Sequence, residues 1–267
     1  MLLDWSRIKT IFILTFLVLD IFLAIQYYQK RSSDQFDTIA ESSIEEQLKE
    51  NDITYVSLPK NSLKESYISG NSKDFSKKVM EDRKGQDIET YKDVLQSRLK
   101  KPVPIAKTNK IPFLENFVKE YIWNGGSYRY CQIDQNSKTI YFCQTYKDRL
   151  IYNIESSVVE IKYNDKNEIY AYRQRYLENL KEMVDKKNIQ EALPAIKAIE
   201  NLFVKDELKP SDRITKVDFG YYTVIPLSTG VKFIAPAWHI VVNEQQDYFV
   251  NAIEGQIIKI DKEQWSE

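Results

Sequence analysis

The chain has 267 residues, a net charge of −1 and a charged fraction of 29%. That balance gives no electrostatic footprint for nucleic acid, and the 43% hydrophobic content is not that of a disordered tail. Tyrosine is abundant at 18 while glycine stands at 7 and proline at 8, which suits sheets with aromatic faces and argues against glycine-rich phosphate loops.

From Ile8 to Tyr28 nearly every residue is apolar. A helix rises ~1.5 Å per residue, so about 20 such residues cross a hydrocarbon core of ~30 Å. Trp5 lies at one end, with Tyr27 and Tyr28 at the other, where amphipathic rings prefer the headgroup level. A cleaved signal peptide has a shorter apolar core and a small-residue cleavage site, which Ala24-Ile25-Gln26-Tyr27 does not supply. A buried core helix is shorter and amphipathic, whereas this run is apolar all round. Residues 1–7 are therefore read as a cytoplasmic tail and 8–28 as an uncleaved single-pass anchor at the cell membrane. Basic flanks are nearly balanced, with Arg7 and Lys9 before the span and Lys30 and Arg31 after it. A short leading flank and a large trailing body favour an inside N-terminus and an extracellular body. Asp20 is the one acid of the span. It either reaches headgroups or protonates, or it faces another helix and hydrogen-bonds there with Thr10 and Thr15 as further polar contacts.

The remainder reads as two α+β units, a membrane-proximal one over 29–180 and a C-terminal one over 181–267. Residues 34–50 carry Phe36, Ile39, Ile44 and Leu48 at roughly helical spacing. Asp52–Leu58 predicts a strand stopped by Pro59, and a second short strand falls around Glu65–Ser69 before Gly70-Asn71. Lys77–Lys101 predicts a loosely amphipathic helix or helix pair broken at Gly85, and Pro102, Pro104 and Pro112 an extended connector. A helix over Phe113–Trp123 ends at Asn124-Gly125-Gly126, and strands follow at Ser127–Ile133, Thr139–Tyr146, Val158–Tyr163 and Ile169–Tyr176. The second unit repeats that order. A linker over Asn179–Asn188 that can itself be helical leads into a helix over Ile189–Phe203. Strands then fall at Ile214–Pro226, Val231–Ile234, Ala237–Val242, Tyr248–Ile253 and Gln256–Ile260. Helices packed on curved antiparallel sheets are the expected architecture.

Candidate chemistry is sparse. His239 is the only histidine, so a two-histidine zinc motif is impossible, and its place in Pro236-Ala237-Trp238-His239-Ile240 suits a satisfied sheet residue. No Gly-x-Ser-x-Gly, phosphate loop or dinucleotide fingerprint occurs. Ser6-Arg7-Ile8-Lys9 and Ser97-Arg98-Leu99-Lys100 match Ser-x-x-Lys without companion motifs. Tyr128-Arg129-Tyr130 could stack bases or sugars, but with this charge balance it reads as a sheet face. No catalytic, metal or cofactor-binding residues are assigned, and the chain is read as a non-enzyme without cofactors. If the hairpin turns symmetrically about Ser137, Cys131 and Cys143 oppose each other directly, and opposed Cα atoms ~4.5–5.5 Å apart permit a disulfide. Two reduced, half-buried thiols are the alternative.

The start Asp4-Trp5-Ser6-Arg7-Ile8-Lys9-Thr10-Ile11-Phe12-Ile13, continuing Thr15-Phe16-Leu17-Val18-Leu19-Asp20, resembles the N-terminus of the YycI family. The likeness extends through Glu46-Gln47-Leu48-Lys49 and Ile53-Thr54-Tyr55 to Pro236-Ala237-Trp238 and Tyr248-Phe249-Val250-Asn251-Ala252. The last hairpin is also similar to PepSY-like modules, with a Pro-x-Trp strand and Gly255 in place, although Asn251 stands where that pattern often has Asp. The YycI resemblance implies a membrane-anchored regulator of the WalK/WalR (YycG/YycF) two-component system in Gram-positive bacteria. Its body would resemble part of a companion protein, YycH. It also implies that the two act together on the sensor kinase WalK, and so on cell-wall metabolism, partly through transmembrane helices. An anchored sensor binding an envelope-derived ligand or peptide in a cleft between the two units is the alternative reading.

Overall fold

Two compact units, Met1–Ile53 and Thr54–Glu267, organise the computed structural model, which describes residues 9, 12–23, 44–59, 64–76, 85–152, 156–183, 190–226 and 231–258. In the first unit, helices cover 12–23 and 44–50. Ile44 and Leu48, one turn apart, are buried, as is Ile53. The second helix ends through Asp52 at φ 56°, and the Ile53 N–H donates to the Leu48 carbonyl at 2.8 Å. Residues 34–43 of the expected helix, and most of the flanks of the expected 8–28 span, lie outside the described residues.

The second unit begins with β1 (Thr54–Tyr55), β2 (Lys64–Glu65), β3 (Ile68–Ser72), β4 (Gln86–Thr90) and β5 (Leu95–Pro104). After a helix over Lys110–Tyr121 come β6 (Tyr128–Asp134), β7 (Thr139–Tyr146), β8 (Arg149–Tyr152), β9 (Val158–Tyr163), β10 (Glu168–Gln174), β11 (Leu177–Glu182) and β12 (Gln190–Glu191). A helix over Ala195–Val204 then leads into β13 (Arg213–Pro226), β14 (Val231–Val242), β15 (Gln246–Asn251) and β16 (Ile257–Ile258). The mixed α+β class follows the sequence, and β7 and β9 span the expected residues.

One sheet runs β6-β7-β9-β10-β5-β4, antiparallel throughout. The Lys110–Tyr121 helix buries Leu114, Phe117 and Val118 against Leu95, Leu99, Ile140, Phe142, Val159, Ile161, Ile169 and Tyr172 of that sheet. Burying each such side chain contributes about 1.5–3 kcal/mol. Asp134 accepts from the Ser137 hydroxyl and from the amides of Asn136 and Ser137, which closes the β6–β7 turn and holds its carboxyl below the usual range.

The helix expected over 77–101 is a correction: the described part, from Gly85 onward, is the β4–β5 hairpin. Its inward positions include two polar residues, Gln86 and Ser97, which hid the two-residue period. Ser97 donates to Gln86 Oε1 at 2.8 Å, Tyr172 donates to the same oxygen at 2.9 Å, and Gln86 Nε2 donates to the Tyr121 carbonyl at 3.2 Å. A fully satisfied network lets polar side chains occupy a core face. Pro102 and Pro104 belong to β5 rather than to a connector. They lie where its pairing to β10 jumps from Arg98↔Ala171 to Val103↔Ile169, an irregularity that tolerates a missing donor. Asn179–Glu182, the start of the expected linker over Asn179–Asn188, belong instead to strand β11.

The second sheet is built on β14. One side of it pairs with β13 along its length; on the other, Val231–Ile234 pair with β3 and Ala237–Val242 with β15. β11 lies outside β3, and β16 outside β15. Pro236 falls at the handover between β3 and β15, so a single strand replaces the two expected on either side of it. β1 and β8 both pair with β13 in parallel, a departure from the all-antiparallel expectation. β8 approaches so closely that a Cβ on Gly220 would sit 2.6 Å from the Leu150 carbonyl oxygen. The Ala195–Val204 helix packs on β14, and Trp238 Nε1 donates to the Leu193 carbonyl at 2.8 Å. β1 and β3 thus join the second sheet, although they precede residue 180 by a wide margin in the chain.

Strands β7–β8 and β10–β11 carry the chain from one sheet to the other, and β8, antiparallel to β7 and parallel to β13, joins the two into one continuous 14-stranded sheet. At that junction buried Gln144 acts as a clamp: its Nε2 donates to the Leu177 carbonyl and its Oε1 accepts from the Leu177 N–H, both at 2.8 Å. Gln144→Ala is expected to cost about 2–6 kcal/mol, because two buried backbone groups each lose a partner at about 1–3 kcal/mol apiece. Urea unfolding checks this, and a loss below about 0.5 kcal/mol would show that the clamp carries no weight.

Candidate interaction site

The helix at 12–23 is the most unusual surface. Phe12, Ile13, Leu14, Phe16, Leu17, Val18, Leu19, Ile21, Phe22 and Leu23 are 47–68% exposed, on every side of the helix. Apolar surface of this extent marks contact with another protein or with lipid. No helix among the described residues is long and apolar enough to cross a membrane. Asp20 and Thr15 lie in this helix; Thr10 lies outside the described residues. Thr15 and Asp20 are five positions apart, so at 3.6 residues per turn they point about 140° apart. They do not share one face, and together they could serve two contacts rather than one.

The Ser97–Lys100 spacing does not build a nucleophile and base. Ser97 is buried and engaged with Gln86, whereas Lys100 is exposed and pairs with Asp87 at 3.4 Å. Tyr128 faces the core rather than a ligand. Its hydroxyl donates to the Arg175 carbonyl at 2.6 Å, accepts from Gln174 Nε2 at 3.1 Å, and is raised in pKa by burial. His239 sits on β14 with Nε2 2.5 Å from Asp247 Oδ1, its ring stacked on Phe249 at 4.7 Å and against Tyr152 at 4.6 Å. Among the described residues no three His, Cys, Asp or Glu side chains gather in an arrangement suited to a metal ion.

Two networks depend on contacts between residues far apart in the sequence, which the sequence did not reveal. Glu65, nearly buried, contacts Arg149 and accepts from the Tyr221 hydroxyl at 2.8 Å. Burial and then the Glu65 carboxylate hold the Tyr221 phenol in its protonated form. In the last hairpin, Asn251 Oδ1 accepts from the N–H groups of Ile253 and Glu254 at 2.9 and 3.2 Å. Gly255, at φ +72°, closes the turn by donating to the Asn251 carbonyl at 2.8 Å. Asn251 Nδ2 donates to the Tyr67 hydroxyl at 3.0 Å, and that hydroxyl donates to Glu254 at 2.6 Å. Asn251 therefore does the turn-closing work of an aspartate and adds a donor that an aspartate lacks.

The sulfurs of Cys131 and Cys143 are bonded, with Cα atoms 5.7 Å apart. The register differs from the symmetric expectation. Cys143 pairs with Arg129, and Cys131 is the extra residue of a bulge between Tyr130 and Gln132.

These features define an α+β protein whose distinguishing surface is an exposed apolar helix rather than a gathered catalytic constellation among the described residues. The YycI protein family model matches residues 33–253, and the chain belongs to that family. It is a family of regulatory proteins, and membership points to a regulatory role in the WalK/WalR (YycG/YycF) system. No curated protein matches the chain.

Asn251→Asp is expected to lower stability by about 1–2 kcal/mol although it preserves both turn acceptors, since the Tyr67 contact loses its donor and a second carboxylate approaches Glu254. Equal melting temperatures for the two proteins would contradict that. Reducing Cys131–Cys143, or replacing both with Ser, is expected to cost about 3 kcal/mol by the chain-entropy model for a loop of this size. Thermal unfolding with and without reductant, beside a free-thiol assay, checks it.

Proposed function

We propose that this chain is a non-enzymatic regulatory subunit of the WalK sensor kinase. It spans the cell membrane once, with its N-terminus cytoplasmic and its body extracellular, and works together with YycH. The observation that carries this reading is the 12–23 helix, apolar on all sides and exposed at every position. Family membership supplies the system on which it acts. In a bilayer, lipid tails are as apolar as leucine, so helices associate through close packing and polar contacts rather than through a hydrophobic force. Asp20 and Thr15, on different sides of the helix, are suited to different neighbours, one on WalK and one on YycH. An intramembrane acid costs about 2.5–3.5 kcal/mol on insertion scales, and a hydrogen-bonding partner offsets that cost.

Regulation by such an assembly needs only that the chain bind two kinase states unequally. A coupling of about 1–3 kcal/mol shifts an equilibrium 5–150-fold. The extracellular body pairs with the outer domain of YycH and sets the position of the anchor.

Tagged WalK and YycH coexpressed with this chain should co-purify with it. Asp20→Leu, and replacement of residues 8–28 by an unrelated membrane span, should weaken co-purification and alter output of the cell-wall regulon. Unchanged co-purification together with unchanged output in both variants would sink the anchor mechanism.

A further inference from the structure

One end of the first sheet gathers lysines that the near-neutral composition conceals. The β9–β10 turn, Asn164–Asn167, lies between two other loops. Asn167 accepts from the Ile105 N–H at 2.8 Å, and the Tyr163 N–H donates to the Lys138 carbonyl in the β6–β7 turn at 3.1 Å. The Ile105–Asn109 loop leads directly into the Lys110–Tyr121 helix, where Lys110 Nζ lies 5.9 Å from the Tyr163 ring. Lys101, Lys107, Lys110, Lys138, Lys162 and Lys166 thus converge on one end of the lobe.

The carboxylates at that end are engaged internally. Asp134 closes its own turn, Asp165 contacts Lys138, and Glu168 accepts from Asn164 Nδ2 at 2.9 Å. No acid sits in the first turn of the helix. Lys101, Lys107 and Lys166 are exposed and make no ion pair among the described residues.

We propose that this end of the lobe binds a linear, phosphate-bearing polyanion. The side-chain chemistry favours that occupant over a folded acidic partner. Protein interfaces are enriched in arginine and aromatic anchors and depleted in lysine, whereas the groups presented here are lysines. A lysine acts on phosphate as a mobile point charge, and lysines spread over three loops suit a flexible chain of phosphates better than a single anion. A lipid surface is favoured less, because Ile111 is the one large apolar side chain these loops and the helix start expose strongly.

The test uses the full chain in neutral-lipid nanodiscs, with amide exchange of residues 100–111 and 164–167 as the readout and inorganic polyphosphate as the probe. Polyphosphate should protect both segments, and the half-maximal concentration should rise about 20-fold or more between about 50 and 200 mM salt, as counterion release from three or more phosphates requires. The triple variant Lys101→Gln, Lys107→Gln, Lys166→Gln should keep its melting temperature and lose the protection. A control carrying Lys92→Gln and Lys205→Gln should keep it. Absence of protection, equal protection in the triple variant, or protection by phosphatidylglycerol nanodiscs but not by polyphosphate would each overturn the proposal.

Discussion

The second unit is held together by one short stretch, residues 64–76, whose contacts are almost all distant in sequence. Glu65 reaches Arg149 and Tyr221, Tyr67 reaches Asn251 and Glu254, and β3 fills the place between β11 and β14. Lys73 pairs with Glu178 at 3.1 Å and lies over the Trp123 ring, while Phe75 is buried in the core of the first sheet against Trp123. A single segment therefore touches both sheets, the junction between them and the last hairpin. Closing loops of this length before any contact rewards them is costly, so the stretch is expected to be late and cooperative in folding.

That arrangement bears on how a regulatory body could work. The two sheets are not beads on a string: β7 continues into β8 and β10 into β11, and the crossing is closed by Gln144 and by the buried cluster of Ile68, Ile151, Leu177, Tyr221 and Ile234. Packed cores transmit displacement rather than absorb it. A partner that gripped either sheet would move the other with it, which suits a body whose proposed work is to position an anchor.

Much of the element order was legible in the sequence, and the reasons for the exceptions are physical. β7 is a continuous apolar, aromatic-rich run and β9 is rich in Val and Ile, and both are bounded by turn residues, so their bounds followed directly. The β4–β5 hairpin was masked because Gln86 and Ser97 point inward, and only the Tyr121 carbonyl and the Tyr172 hydroxyl, both remote in sequence, make that tolerable. Cys131 and Cys143 were recognisable as neighbours, but the bulge that shifts their register has no local signature. Glu65 could not have been singled out at all: its partners lie 84 and 156 residues away, and its own neighbourhood reads as an ordinary charged loop. The apolar helix at 12–23 stood out from composition alone, while the angle between Thr15 and Asp20 needed only helical geometry.

The proposed contact between the 12–23 helix and the kinase is tested most directly by photo-cross-linking in intact membranes. A photoreactive residue is placed in turn at each position from 12 to 23, in cells that express WalK and YycH. Cross-links to WalK are predicted to recur every three to four residues on the side that includes position 20, with a second set to YycH on the side that includes position 15. Cross-links to lipid alone at every position, with no kinase adduct, would contradict it.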